Sequence, residues 1–237
     1  MPVALPRQAS PPLRPLAAFR GSLAQRAYGS LREAILELAV QPGSRLRKGE
    51  VCEALGVSRS PVAEAVARLQ AERLVDVVPQ AGTFVARLSM DEVREGAFLR
   101  EAIELAAVEA VAGSVTEAGL AELARSLRVQ EAMVAAGDEA GFYAADAAMH
   151  EALLDLTGHR RAAELARTAW VHVDRARRLV LPQPGRIAES LGEHRAVVAA
   201  VVARDGEGAR RAMRHHLGQL VRRLEALAAE RPELFSD

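Results

Sequence analysis

Apolar residues recur at helical intervals along most of the chain, with one interruption between residues 74 and 88. Over 22–38, SLAQRAYGSLREAILEL, the positions Leu23, Tyr28, Leu31, Ile35 and Leu38 share one helical face. QPGSRL at 41–46 reads as a turn, GEVCEAL as a short second helix, and GVS as its break. A third helix is expected from about residue 60 to 71, where Ser58 or Ser60 can cap the N-terminus and Pro61 is tolerated in a first turn. LVDVV and TFVARL then flank PQAG, the pattern of a β-hairpin with glycine in its loop. Helix, helix, tight turn, helix, hairpin is the order of a winged helix-turn-helix, placed here at residues 22–88.

From Met90 onward the pattern is helical throughout. Six amphipathic segments are expected, at about 90–113, 116–136, 138–157, 160–181, 186–204 and 206–230, separated by GSVT, AAGDEAG, TGH, LPQPG and RDGEG. Connections this short make successive helices antiparallel neighbours. The expected fold is therefore mainly α: an N-terminal winged helix-turn-helix followed by an all-helical antiparallel bundle of about six helices at 91–230.

Composition sharpens this picture in three places. Half of the 237 residues are hydrophobic but only 3% are aromatic, so the core is one of Ala, Val and Leu, which suits packed helices. No run approaches the ~18 apolar residues of a membrane span. The proline-rich start MPVALPRQASPPLRPL has no apolar signal core, so residues 1–21 read as a disordered tail. The single cysteine, Cys52, excludes an internal disulfide framework. A cytoplasmic, nucleoid-associated protein is expected. Charge, balanced overall, is uneven along the chain. Residues 1–90 carry 12 Lys/Arg against 7 Asp/Glu, a net of +5, and residues 91–237 carry 19 against 24, a net of −5. A basic front half suits a polyanionic partner.

In a helix-turn-helix the second helix of the motif enters the major groove, and its N-terminal residues meet base edges. Within GVSRSPVAEAVARL, Arg59 sits at that tip, and an arginine fork is the commonest specific contact to guanine. Ser58 and Ser60 can donate to phosphate. One such helix reads only a few base pairs, so a homodimer on a pseudo-palindromic double-stranded operator is expected.

The run Tyr28…LREAIL…PGSRL…ALGVSRSPVAEAVARLQAERLV…PQAGTFV, over 28–85, resembles the DNA-binding domain of the GntR family of bacterial transcription regulators. The resemblance implies base reading by Arg59 and backbone or minor-groove contacts by Ser58, Ser60 and the wing at Gly82 and Thr83. It makes Arg45, Lys48 and Arg68 candidate phosphate contacts. The chain departs from the family pattern at Ala63 and Ala81, where basic residues are usual, and at Arg73, where glycine is usual.

In the back half, DAAMH places Asp146 and His150 one turn apart on a helix face shared with Phe142, Met149 and Leu153. His194 lies in a second inward stripe with Ile187, Leu191, Val198 and Val201, and His216 in a third with Ala209, Met213, Leu220 and Leu224. The turn near Gly206 is 12 residues after His194 and 10 before His216, so antiparallel packing puts the two histidines at similar height. Three imidazoles and one carboxylate suit a divalent transition metal, zinc first, with nickel, iron or manganese also compatible.

FLREAIELAA at 98–107, DAAMHEALLDLTG at 146–158 and EHRAVVAAVVARDGEGARRAMRHHL at 193–217 resemble the FCD ligand-binding domain of the FadR subfamily of GntR regulators. The resemblance implies metal ligation by Asp146, His150, His194 and His216, with His159 as a loop or cap residue. It further implies a small organic acid bound beside the metal, with Arg100 of the matching LREAIE segment to pair with its carboxylate; Arg175, which shares an inward-leaning helical face with His172, is a second candidate. The expected function is a transcription regulator whose operator affinity follows that acid. A direct metal-ion sensor and, further off, a metalloenzyme acting on a small acid are the alternatives.

Overall fold

A computed structural model describes residues 13–236, apart from the side chains of residues 167–169. It divides into two compact units: one runs to Leu88 and also takes in the residues from Glu233 on, and the other is Ser89–Pro232.

The first unit contains α1 (Leu23–Leu36), α2 (Lys48–Leu55), α3 (Arg59–Ala71), β1 (Val75–Val78) and β2 (Gly82–Val85). A capping box formed by Ser22 and Gln25 starts α1. Its inward face is Ala24, Ala27, Leu31, Ala34 and Ile35; Leu23, expected on that face, is 54% exposed. Small alanines line the side against which α3 packs through Val62, Val66 and Leu69. Gly56 ends α2 in the left-handed conformation at φ 64°, which supplies the tight turn of the motif. Ser58 is the N-cap residue of α3, although its side chain makes no capping bond.

Just past α3, Arg73 takes φ 54°, and the amide of Leu74 donates to the Leu69 carbonyl at 2.9 Å. That geometry closes the helix end and turns Leu74 into the core. It normally calls for glycine, which explains the family preference at this position. Arg73→Gly is therefore expected to stabilise the unit by roughly 1 kcal/mol, read as a higher urea midpoint with an unchanged m-value.

β1 and β2 pair antiparallel, with Val75 opposite Val85 and Val78 opposite Gly82. The segment 43–46, expected only as a turn, adds a third rung: Gly43 and Leu46 amides donate to the Val85 and Thr83 carbonyls, each at 2.8 Å. Leu234 and Phe235 are buried, and Arg87 Nε donates to the Glu233 carbonyl at 3.1 Å. The expected boundary at residue 88 therefore omits a short later segment.

The expectation of a disordered tail through residue 21 fails for its second half. Leu16–Ala18 form a 3-10 turn, and Arg14 pairs with Glu33 at 3.0 Å. Phe19 lies so close to Gly29 that a Cβ there would come within 2.6 Å of its ring. The remainder of that tail, residues 1–12, lies outside the described residues.

The second unit is helical: α4 (Met90–Ser114), α5 (Glu117–Ala136), α6 (Glu139–Leu156), α7 (Arg160–Ala169), α8 (Val171–Val180), α9 (Arg186–Val202) and α10 (Gly206–Glu230). Val108, Val111, Leu123, Met149, Leu153, Val197 and Val201 form its principal core. The segment 160–181, expected as one helix, is two. The chain leaves helical geometry at Trp170, φ −92° and ψ 4°, whose ring is buried against Ala107, Leu154 and Val173. Among the described residues, no helix is long and apolar enough to cross a membrane.

Candidate functional site

Asp146 and His150 project from α6 on its buried face, with Phe142, Met149 and Leu153 around them. His194 comes from α9 and His216 from α10, both buried. The reversal between these two helices brings His194 Nε2 to 3.3 Å from His216 Nε2, and His216 Nε2 to 3.2 Å from His150 Nε2. Asp146 Oδ1 stands 3.5 Å from His194 Nε2. One donor atom from each of the four lies within 4.8 Å of the others.

The other nitrogen of every ring is held from outside. His150 Nδ1 donates to Glu104 Oε2 at 2.5 Å, His194 Nδ1 to Gln130 Oε1 at 2.6 Å, and His216 Nδ1 to Glu193 Oε2 at 2.6 Å. An ionised carboxylate and an amide oxygen only accept, so each of these Nδ1 atoms carries the proton. Three Nε2 lone pairs then converge on one point, where they repel unless a cation or a proton lies between them. Burial lowers all three imidazole pKa values: that of His150, that of His194 far below its usual range with its two histidine neighbours adding to the effect, and that of His216 to about 4. Neutral imidazoles are the metal-binding form. Ligands about 2.0–2.1 Å from a tetrahedral ion lie about 3.3–3.4 Å apart, close to the separations here. Donor type, protonation and spacing all fit a divalent ion.

The carboxylates behind the histidines are themselves tethered. Burial would raise Glu104, but Arg100 and His150 hold it well below the usual carboxylate range; Arg100 Nε donates to it at 2.6 Å. Burial would likewise raise Glu193, yet hydrogen bonds from Arg186 and His216 bring it down to about 2. Arg186 grips Glu193 with both terminal nitrogens, at 2.6 and 2.8 Å.

A cavity of about 270 Å³ opens beside this cluster, with Asp146, His216 and Ser190 in its lining. Arg100, Arg177 and Arg186 also line it, all buried. Arg177 forms an ion pair with Asp146, and Arg100 lies over the Trp170 ring, 4.9 Å from its centroid. Arg175 departs from expectation: it is fully buried on α8 but does not line the cavity, and Arg177 two residues on takes that place. Sequence reasoning also missed Glu104, Gln130, Glu193 and Arg186. Glu104 carried a usable signal, standing one turn after Arg100 on an apolar face. His159 is exposed at the N-cap position of α7, and His215 is exposed on α10.

In the first unit, Ser58, Arg59 and Ser60 are all exposed at the start of α3. Arg45, Lys48 and Gly82 line an open groove at the wing together with Arg47. The Arg45 guanidinium lies so close to Gly82 that a Cβ there would come within 3.0 Å of its Nε. Thr83 is 4% exposed, so its side chain faces the core and the wing tip is left to Gln80, Ala81 and Gly82. Arg68 is exposed, but its guanidinium stacks on Tyr28, 4.0 Å from the ring centroid.

Residues 23–85 match the family described as "Bacterial regulatory proteins, gntR family", and residues 95–219 match the FCD domain. The chain belongs to the GntR family. It is a DNA-binding transcription regulator and not an enzyme. Among its relatives, an HTH-type transcriptional regulator of Streptomyces ambofaciens is 37% identical over 88% of each chain. The HTH-type transcriptional repressor RspR of Escherichia coli is 30% identical over 90% of this chain and 93% of its own. A GntR regulator from Rhodococcus sp. RHA1 has the same fold, with a TM-score of 0.72 and 26% identity over 87% of this chain and 99% of that one. Against the GntR pattern, Ala63 is exposed one turn beyond Arg59, and Ala81 is exposed at the wing tip.

Proposed function

We propose that this regulator's operator affinity is controlled by a small carboxylate bound next to a divalent metal ion in the helical unit. The observation that carries the reading is the convergence of three buried imidazoles and Asp146 at the edge of a cavity lined by buried arginines. Asp146, His150, His194 and His216 would hold the ion, zinc being the first choice. Bound there, it would supply a Lewis-acidic anchor for an acid oxygen. Arg100, Arg177 and Arg186 would orient that acid and balance its charge. Arg100 and Arg186 each share a carboxylate with a histidine of the cluster. An acid drawn to either arginine therefore alters the field at the ion, and differential binding of this kind can shift a two-state equilibrium.

On DNA, a homodimer would present two copies of Arg59 to the half-sites of a pseudo-palindrome in the cytoplasm. Ser58 and Ser60 would meet phosphate, as would Arg45 and Lys48 beside Gly82 at the wing. Arg68 contributes only on leaving Tyr28, and Thr83 through its backbone alone. The experiment is operator binding by the purified protein, with chelator and acids titrated separately. The reading expects affinity to change with an acid only when the metal is present. Response to metal alone, with every acid inert, would favour the direct metal sensor.

Ala63 offers a gain-of-function check. Its exposed position one turn past Arg59 can carry a longer side chain without disturbing the core. Ala63→Arg is expected to raise DNA affinity several-fold and to steepen its salt dependence by about one phosphate contact per half-site, measured by fluorescence anisotropy across a salt series.

A further inference from the structure

We infer that the cavity of the helical unit selects an acid with an apolar body, alkyl or aryl, over a polyhydroxylated acid of the same length. This rests on the effector reading above and adds the chemical class. The cavity is divided by polarity. Its charged groups gather around the histidine cluster: Arg177 pairs with Asp146, while Arg100 and Arg186 share Glu104 and Glu193 with His150 and His216. Arg100 Nη2 is buried there with no hydrogen-bond partner, a donor held ready for an anionic oxygen.

The rest of the lining changes character. Val173, Val180 and Leu181 form the buried wall, and Leu217, Leu220 and Val221 continue it toward the mouth. Phe98 stands at the opening with 73% of its surface exposed. Among the described lining residues Ser190 supplies the one side-chain hydroxyl, and it sits at the charged end, 3.5 Å from Asp146 Oδ1. The polar rim groups are already engaged: Arg94 with Glu225 at 3.0 Å, and Glu101 with Arg214 at 3.1 Å. A sugar-acid chain laid along this wall would bury hydroxyls with nothing to receive them, each costing about tenfold in affinity. A hydrocarbon chain would gain by leaving water, and Phe98 would cover its outer end. The small volume sets the scale at a short acid.

The test uses zinc-loaded protein and two six-carbon monocarboxylates, hexanoate and gluconate, with acetate as a head-only probe, in calorimetric titrations. Hexanoate is expected to bind at least tenfold more tightly than gluconate. Phe98→Ala, at an exposed position the fold does not need, is expected to weaken hexanoate several-fold and leave acetate unchanged. Gluconate binding as tightly as hexanoate, or more so, overturns the apolar-body inference while leaving the effector reading standing. An unchanged hexanoate affinity in Phe98→Ala counts against the proposed direction of the tail. If none of the three acids binds, the effector reading falls and takes this inference with it.

Discussion

Arg59→Ala is expected to abolish retention of specific operator fragments while leaving weak, salt-sensitive binding to any DNA. The side chain is exposed at the first turn of α3. A bidentate arginine–guanine contact discriminates by about 1–3 kcal/mol. A dimer uses the contact twice, so the specific complex should weaken by tens-fold at the least. Nonspecific affinity depends instead on phosphate neutralisation, and Arg45, Arg47 and Lys48 at the wing groove are untouched. Competition binding at fixed salt, specific fragment against bulk DNA, reads the two components separately. Equal loss of both would assign Arg59 to the backbone. Retention of both would remove it from the interface. The unfolding midpoint should not move, since an exposed helix-tip side chain holds nothing in the core.

The second large effect concerns the histidine cluster. His194→Ala should lower the metal content of purified, dialysed protein from one equivalent per chain to near zero. His215→Ala and His159→Ala, both exposed, should leave it unchanged. Thermal unfolding supplies an independent readout. A ligand present at a thousand times its Kd stabilises by about 4 kcal/mol, so zinc should raise the wild-type Tm by several degrees and that of His194→Ala hardly at all. Gln130→Ala is the finer probe. It leaves all four ligating side chains in place but removes the acceptor that orients His194, and loss of such an outer partner costs about 10- to 100-fold in metal affinity. Full metal retention by His194→Ala would mean that the cluster is a hydrogen-bonded core and nothing more.

Much of this was legible in the sequence because the informative residues lie on strongly periodic helices. His150, His194 and His216 could be assigned inward from their apolar neighbours alone, and the antiparallel turn between α9 and α10 fixed two of them at one height. Elsewhere the reading slipped. Arg175 was expected to face the effector because it shares a helical face with His172, but its side chain is fully buried outside the cavity lining, and Arg177 lines the cavity instead. Thr83 was expected at the DNA surface from the family resemblance of the wing alone. It shares a face of β2 with buried Val85, and its carbonyl receives the Leu46 amide of the extra rung. Glu104, Gln130 and Glu193 escaped because a buried polar residue on a helix looks like a solvated one until its partner is known. Those partners lie 46, 64 and 23 residues away.

The segment that buries Leu234 and Phe235 in the first unit has a consequence for biosynthesis. Helices α1 to α3 and the wing leave the ribosome early and can begin to pack at once. Their last contacts arrive only after the entire helical bundle has been made. A nascent chain halted within α10 would carry the recognition helix without the finished unit behind it, in the partly assembled form most open to proteolysis. Completion of the DNA reader is thus tied, in time, to completion of the helical unit.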